Sequence, residues 1–316
     1  MVFGTVVTVA ALVAGIVLMT YSSDKAVDHS VKIASALRIS PLIIGLVLVS
    51  IGTDLPEIVN SIMSCAVGHA DIELGDSLGS VLTQMTLVIG LLPFLVGKFK
   101  VKRKDVLVIG ACEVLALILA VSIAEKGHFT RINALFLVAS WQVFLLLIRS
   151  ATKKNPKEKE HWVAHADQKR LRHFVIAILG FIGVAVGAYI VIQSVIRLSA
   201  AFHISEYVIS FFVVAIGTSL PELVVDFMAL RKKQYKLAIG DAIGSCLVDA
   251  TVSVGIGQVF FPQAVSGKIA MITGLYAIFG SIVVVSTLAL REKVDKKAGA
   301  LFIFVYLLSY ALLYVI

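Results

Sequence analysis

The chain spells nearly the same six residues twice, as GTDLPE at 52–57 and GTSLPE at 217–222, each time inside a long apolar run. Proline in a helix interior removes a backbone hydrogen bond and clashes with the carbonyl one turn earlier, while glycine lowers the cost of leaving helical geometry. Both copies are therefore predicted to break a helix. Because a glutamate directly follows each proline, a carboxylate is expected at each break.

The composition predicts that both breaks lie in a membrane. The 316 residues are 59% hydrophobic and 15% charged, with a mean hydropathy of +0.98, which is far outside the range of soluble domains. Apolar runs long enough to cross a bilayer recur along the chain. The predicted spans are 2–20, 40–68, 72–97, 105–124, 129–149, 172–197, 205–230, 237–261, 268–290 and 298–316.

The basic residues predict the orientation of these spans. Of the 28 Lys and Arg residues, 24 lie in alternate loops, and only Lys126, Arg131, Arg197 and Lys268 lie in the others. Because basic loops stay in the cytoplasm, both termini are expected on the extracytoplasmic side of the cell (plasma) membrane. The net charge of +8 is thus explained by orientation, and we expect no nucleic-acid partner.

A shift of 165 residues superimposes the two halves without a gap, including Gly52 on Gly217, Pro56 on Pro221, Glu57 on Glu222, Asp76 on Asp241 and Ser80 on Ser245. We predict a first five-helix repeat at 1–150 (motif 50–84), a cytoplasmic linker at 151–171 and a second repeat at 172–316 (motif 215–249). Since five is odd, the second repeat enters the membrane inverted. The expected fold is an all-α membrane protein with ten transmembrane helices in two inverted repeats, with broken helices at mid-membrane.

The repeated polar residues predict a cation site. Backbone carbonyls freed at a break cannot face lipid, and Glu57 and Glu222 offer two carboxylates beside them. An all-oxygen set without His or Cys suits a hard cation such as Ca²⁺ or Na⁺. In the segments LGDSLGSVLTQ at 74–84 and IGDAIGSCLVD at 239–249, the pairs Ser80/Gln84 and Ser245/Asp249 are each four apart, so each pair shares a helix face.

At these residues the chain resembles the Ca²⁺/cation antiporter superfamily, whose two repeats carry G-T-S-x-P-E and G-(N/D)-x-x-G-S signatures. It looks most like the prokaryotic sodium/calcium exchanger branch. The resemblance implies a monomeric antiporter that exchanges Ca²⁺ for Na⁺ by alternating access in the lipid bilayer, without a cofactor. Residues 2–38 and 172–203 would then form a sliding gate.

The resemblance also implies a set of ligands. Ca²⁺ would be bound by Glu57, Glu222 and the backbone carbonyls of Thr53 and Thr218. Auxiliary Na⁺ or H⁺ positions would use Ser50, Asp54, Ser80, Gln84, Ala215, Ser219, Ser245 and Asp249, with Gln84 and Asp249 at the middle of the cluster.

Two departures from the family pattern leave the coupling ion open. Asp54 stands where the family usually has Ser, and Gln84 where sodium exchangers often have Asn. A second carboxylate near Glu57 is a candidate proton carrier, so an H⁺/Ca²⁺ exchanger, or one for another divalent cation, is the alternative. Stoichiometry, direction and K⁺ participation also stay open.

Four of the other acidic residues in the predicted spans are considered as site or structural residues. Asp76 and Asp241 precede glycine-serine pairs, and we predict that they act at helix N-termini. Glu113 is predicted to form a private hydrogen-bonded pair, and Asp226, one turn beyond Glu222, is left open as a site residue.

Two other function classes are disfavoured. A channel needs a continuous pore, whereas the sequence predicts discrete broken-helix sites. No H-E-x-x-H or G-x-S-x-G motif occurs, so we expect no enzyme.

Overall fold

The structure, a computed structural model, describes residues 2–34, 50–151 and 170–314. Within these ranges the chain is almost entirely helical, and eight helical stretches are long and apolar enough to cross a bilayer. Large apolar side chains such as Ile132, Leu146 and Leu290 are exposed on the outside, where lipid rather than water would surround them. The prediction of an all-α, multi-pass membrane protein is confirmed.

The first half begins with a long helix and continues through a broken one. Its elements are α1 (Val2–Ala34), α2 (Ser50–Thr53), α3 (Leu55–Val67), α4 (Ala70–Leu82), a π-helical segment (Thr83–Val88), α5 (Ile89–Val96), β1 (Phe99–Lys100), α6 (Arg103–Ala124) and α7 (Arg131–Ala151).

The second half repeats much of this order. Its elements are α8 (Arg170–Phe202), α9 (Glu206–Ile209), a π-helical segment (Ser210–Val214), α10 (Ala215–Thr218), α11 (Leu220–Arg231), α12 (Tyr235–Val248), a π-helical segment (Asp249–Ser253), α13 (Val254–Phe260), α14 (Gly267–Arg291), β2 (Lys293–Val294), α15 (Lys296–Leu308) and a 3-10 turn (Ser309–Tyr314).

The 165-residue shift relates these elements as well as the sequence. It carries α2 onto α10, and it carries α3, α4 and α5 onto α11, α12 and α13 to within a residue or two. The π-helical segment after α4 falls on the one after α12 in the same way. The repeated glycines and prolines therefore produce the same local backbone twice.

Two of the ten predicted spans are not among the eight long helices of the described residues. The described part of 40–68 is divided between α2 and α3, while 40–49 lies outside the described residues. The span predicted at 298–316 consists of α15, 13 residues long, followed by the 3-10 turn, and residues 315–316 lie outside the described part. The predicted linker at 151–171 and the end of the predicted gate at 35–38 also lie largely outside it.

Glycines set the distances between the packed helices. A Cβ at Gly75 or Gly79 of α4 would collide with the backbone carbonyls of Tyr207 and Phe211, so only glycine lets α4 approach α9 and the π-helical segment after it this closely. Gly15 of α1 and Gly187 of α8 meet in the same manner. Side chains of α1 and α8 form an apolar cluster separate from the main core, to which Ile72, Ile209 and Val214 also contribute.

Two short strands form a two-stranded sheet at one end of the bundle. β1 and β2 pair antiparallel, with Phe99 opposite Val294 and Lys100 opposite Lys293. The pair connects the segment after α5 to the segment after α14 and thus joins the two halves. Asp295 follows β2 and caps α15, since its Oδ1 accepts a hydrogen bond from the Ala298 backbone nitrogen at 3.0 Å.

Candidate cation site

Both repeated motifs form one-residue breaks. Asp54 lies between α2 and α3 with φ −78° and ψ 7°, and Ser219 lies between α10 and α11 with φ −80° and ψ 5°. This is the sparsely populated bridge region between helix and strand. The prediction of a break is confirmed, although the break is milder than an unwound segment, because Asp54 N still donates to Ser50 O at 2.9 Å and Ser219 N to Ala215 O at 3.2 Å.

Each proline frees one carbonyl of the preceding turn. A proline at 221 cannot donate to Gly217, four residues earlier, and the freed Gly217 carbonyl is 3.5 Å from the Thr20 hydroxyl of α1. The sequence did not single out Thr20. This contact connects the break of the second motif to the long first helix.

Three carboxyl groups meet at the breaks. Oxygens of Asp54, Glu57 and Glu222 all lie within 4.8 Å of one another, and all three residues are buried. Among the described residues, the Thr53 side chain donates to Glu222, and the hydrogen-bond neighbour of Asp54 is the carboxyl group of Glu222. If the three oxygens were all 4.8 Å apart, an ion at the centre of their triangle would be about 2.8 Å from each oxygen. This is close to the Ca²⁺–oxygen distance of about 2.3–2.6 Å. The cluster therefore fits a calcium ion after a small contraction.

Hydroxyl groups border this cluster in a symmetric arrangement. The Thr53 hydroxyl is 3.3 Å from that of Ser245, and the Thr218 hydroxyl is 3.2 Å from that of Ser80, which are equivalent contacts under the 165-residue shift. Ser80 also donates to Glu57 at 3.4 Å. The structure thus brings the two predicted threonines and the two predicted serines together.

The pair Gln84 and Asp249 also comes together. The two residues are related by the shift itself, and Gln84 Nε2 donates to Asp249 Oδ2 at 3.1 Å. The amide oxygen of Gln84 accepts a contact from Cys246 Sγ at 3.3 Å. Since its oxygen and nitrogen both have protein partners, the Gln84 amide is fixed in orientation.

The three other predicted positions are Ser50, Ser219 and Ala215. Ser50 donates to Asp241 Oδ1 at 3.4 Å. Ser219 is buried and its hydroxyl has no partner in the described part of the chain, whereas Ala215 offers only its backbone carbonyl, which accepts from Ser219.

The predicted N-terminal role of Asp76 and Asp241 is wrong. Each residue lies six positions inside its helix, because α4 begins at Ala70 and α12 at Tyr235. Asp76 instead accepts from Asn60 Nδ2 at 2.6 Å and from the Thr218 hydroxyl at 3.0 Å. The helices start earlier than the glycine pattern suggested, so both aspartates reach the polar centre of the bundle.

Three further buried acidic residues lie in spanning helices. The predicted private pair of Glu113 is confirmed, since Ser281 donates to its Oε1 at 2.8 Å. Asp226 is fully buried beside Asp241. The sequence analysis missed Glu73 and Asn60. Glu73 is 1% exposed and accepts a hydrogen bond from Ser77 at 3.4 Å. It precedes Asp76 by three residues and Ser77 by four, and this helical spacing could have indicated that the three share a face.

The interior of the described part is acidic throughout. Nine carboxyl-bearing residues are buried there, and no Lys, Arg or His is. Burying that much negative charge without a counter-charge is very unfavourable in a bilayer. Cations or protons must therefore neutralise the cluster.

Comparison with known proteins identifies the family. The family model described as sodium/calcium exchanger protein matches residues 7–149 and 172–315. An uncharacterized membrane protein of Methanocaldococcus jannaschii is 30% identical over 304 residues, which cover 94% of this chain and 95% of that protein. The inner membrane protein YrbG of Escherichia coli is 29% identical, with 80% of each chain covered.

A solved structure has the same fold. The sodium-calcium exchanger NCX_Mj, soaked with Na⁺ and Sr²⁺, superimposes with a TM-score of 0.66 at 26% identity, covering 97% of this chain and 98% of that one. The proteins of this family are transporters without a cofactor. The chain therefore belongs to the sodium/calcium exchanger protein family, and it is a multi-pass membrane antiporter of Ca²⁺ and other cations rather than an enzyme.

Proposed function

We propose that the protein exchanges Ca²⁺ for Na⁺, with Ca²⁺ bound between Glu57 and Glu222. The observation that carries this proposal is the cluster of three carboxyl groups within 4.8 Å, in an interior where no basic side chain of the described residues is buried. Two carboxylates balance one divalent ion. The relative NCX_Mj, a sodium-calcium exchanger, supports the choice of ions.

The remaining ligands are proposed from their positions around the cluster. The backbone carbonyls of Thr53 and Thr218 complete the Ca²⁺ site, because both residues border it through their hydroxyls. Na⁺ binds at the flanking positions, which are supplied by Ser50, Asp54, Ser80, Gln84, Ala215, Ser219, Ser245 and Asp249.

Alternating access follows from the proposed architecture of ten helices in two inverted five-helix repeats, at 1–150 and 172–316 with the linker at 151–171. The helices α1 and α8 pack on each other around Gly15 and Gly187, mostly in a cluster of their own. Such a pair can slide as a unit past the central site. Both repeats belong to one chain, so a monomer contains the complete site.

Orientation is proposed from the basic loops. Because 24 of the 28 basic residues lie in alternate loops, both termini face the extracytoplasmic side. The cell membrane is the proposed location, in agreement with the inner-membrane relative from Escherichia coli.

Exchange of H⁺ for Ca²⁺ is the second candidate, and Asp54 is the specific observation in its favour. Its carboxyl is buried beside Glu57 and Glu222, and its hydrogen-bond neighbour is the Glu222 carboxyl group. Three negative charges in that space exceed the charge of one Ca²⁺. A proton on Asp54 would remove the excess, and its release and uptake could drive transport.

Uptake of radiolabelled Ca²⁺ into proteoliposomes separates the two candidates. Vesicles are loaded with Na⁺, with K⁺, or with K⁺ at acidic internal pH, and the external Ca²⁺ concentration is kept constant. We expect uptake only with internal Na⁺. Uptake driven by internal acid alone would replace sodium exchange by proton exchange, and uptake in no condition would refute both.

A further inference from the structure

A second pair of buried carboxyl groups lies next to the central cluster. Asp226 follows Glu222 by four residues on α11, so the two share a helix face about 6 Å apart along the axis. Asp241 lies on α12, which packs against α11. The carboxyl groups of Asp226 and Asp241 are close enough to interact directly.

Asp226 lacks the donors that a buried carboxylate requires. No hydroxyl, amide or backbone N–H group of the described residues donates to Asp226, whose hydrogen-bond neighbour is the carboxyl group of Asp241, and both residues are fully buried. The hydroxyl groups of Ser50, 3.4 Å from Asp241 Oδ1, and of Ser245 both hydrogen-bond to Asp241. Two facing carboxylates repel each other, and a positive ion between them would turn that repulsion into attraction.

In the first half of the chain, the equivalent buried carboxyl group has a hydrogen-bond donor. Asp76 is the equivalent of Asp241, and there an amide replaces the second carboxyl group, because Asn60 Nδ2 donates to Asp76 Oδ2 at 2.6 Å. The residue equivalent to Asp226 is Ser61, whose hydroxyl accepts from the Gly257 backbone nitrogen at 3.0 Å. In the second half, two carboxyl groups thus face each other where the first half has a hydrogen bond between an amide and a carboxyl group.

The pair lies between the central cluster and one end of the bundle. α11 ends at Arg231 and α12 begins at Tyr235, so Asp226 and Asp241 are each about 8 Å of helix from the turn that joins them. A cation that enters or leaves the central site past α11 and α12 meets this pair on its way.

We propose that Asp226 and Asp241 form a second Ca²⁺ site, which binds the ion transiently between the central cluster and the 231–235 end of the bundle. Two carboxylates neutralise one divalent ion, whereas a monovalent ion would leave a net negative charge buried. The Ser50 hydroxyl lies beside Asp241 and would link this site to the α2 break. The role in transit rests on the proposed function, but binding at the pair does not.

Equilibrium binding of radiolabelled Ca²⁺ to the purified full-length protein tests the pair directly. In the double variant Glu57→Gln/Glu222→Gln the central site is disabled, and we expect about one Ca²⁺ to remain bound per chain. Adding Asp226→Asn should weaken that remaining binding by at least about tenfold, because the charge of the ligand set controls Ca²⁺ affinity. The variant Asp226→Ser, which installs the residue of the equivalent position 61, should do the same.

The control is Glu113→Gln in the same double variant. Glu113 is equally buried but is paired with Ser281, so its neutralisation should leave the remaining Ca²⁺ bound. Elution of every variant as a single monodisperse peak shows that it is folded. The absence of Ca²⁺ from the double variant, or remaining binding that survives both Asp226 substitutions, would overturn the second site. Failure of the proposed function has a different signature: Ca²⁺ transport that persists in the double variant.

Discussion

Replacement of Glu222 by glutamine tests the central site most directly. With the three oxygens at their maximum spacing of 4.8 Å, Ca²⁺ at the centre lies about 2.8 Å from each carboxylate. With an effective dielectric constant of about 20, the attraction between the ion and one carboxylate is about 12 kcal/mol. Glu222 also repels Asp54 and Glu57 across at most 4.8 Å, about 3.5 kcal/mol for each pair on the same scale. In the empty site, protonation relieves these repulsions, so Ca²⁺ binding must overcome them.

The attraction exceeds the two repulsions by about 5 kcal/mol, so the substitution should weaken Ca²⁺ binding by between three and four orders of magnitude. Transport of Ca²⁺ should fall to background while the protein still folds, because glutamine has nearly the same shape. Glu57→Gln should behave alike.

The assay is Na⁺-driven uptake of radiolabelled Ca²⁺ into proteoliposomes, together with equilibrium Ca²⁺ binding in detergent. Glu113→Gln is the matched control, since it neutralises an equally buried carboxyl group outside the cluster. Uptake at the wild-type rate, or a Kd within about threefold of wild type, in Glu222→Gln would refute the assignment of this carboxylate as a Ca²⁺ ligand.

Three other predictions concern the coupling position, the helix packing and a helix cap. Asp54→Ser repeats the residue found at Ser219 and should keep Na⁺-driven Ca²⁺ uptake while raising the Na⁺ concentration for half-maximal rate; complete loss of Na⁺-driven uptake would contradict a supporting role. Gly79→Ala places a Cβ against a backbone carbonyl and should destabilise the fold by about 1–3 kcal/mol, seen as a lower Tm. Gly4→Ala places a Cβ in open space, with no atom within 4 Å, and should not lower Tm, because alanine favours the helix more than glycine does. Hydrogen bonding to the Ala298 backbone lowers the pKa of Asp295 below its usual 3.8. The cap therefore stabilises α15 above that pH and is lost as the pH falls through the lowered pKa, so Asp295→Ala should lower Tm at neutral pH but not in strong acid; an equal effect at both would count against the cap.

Some features of the fold could be predicted from local sequence because their causes are local. Apolar runs of bilayer length predict spanning helices, and the proline of each motif predicts the break at Asp54 and at Ser219. The repeat itself also predicts that equivalent residues adopt equivalent conformations. The start of α4 at Ala70 has no such local signal. The sequence therefore placed Asp76 at a helix end, whereas this residue lies well inside the helix.

By itself, the sequence determined that this is a helical membrane protein with two matching polar breaks, because composition, proline geometry and the repeat need no knowledge of distant contacts. Only the tertiary structure decided that Glu57 and Glu222 share one cluster with Asp54, that the Gln84 amide is turned toward Asp249, and that Asp226 faces Asp241. These contacts depend on how closely helices from the two halves approach. That distance is set by glycines such as Gly75 and Gly79 packing against a backbone more than 100 residues away, and no local pattern specifies which polar side chains then meet.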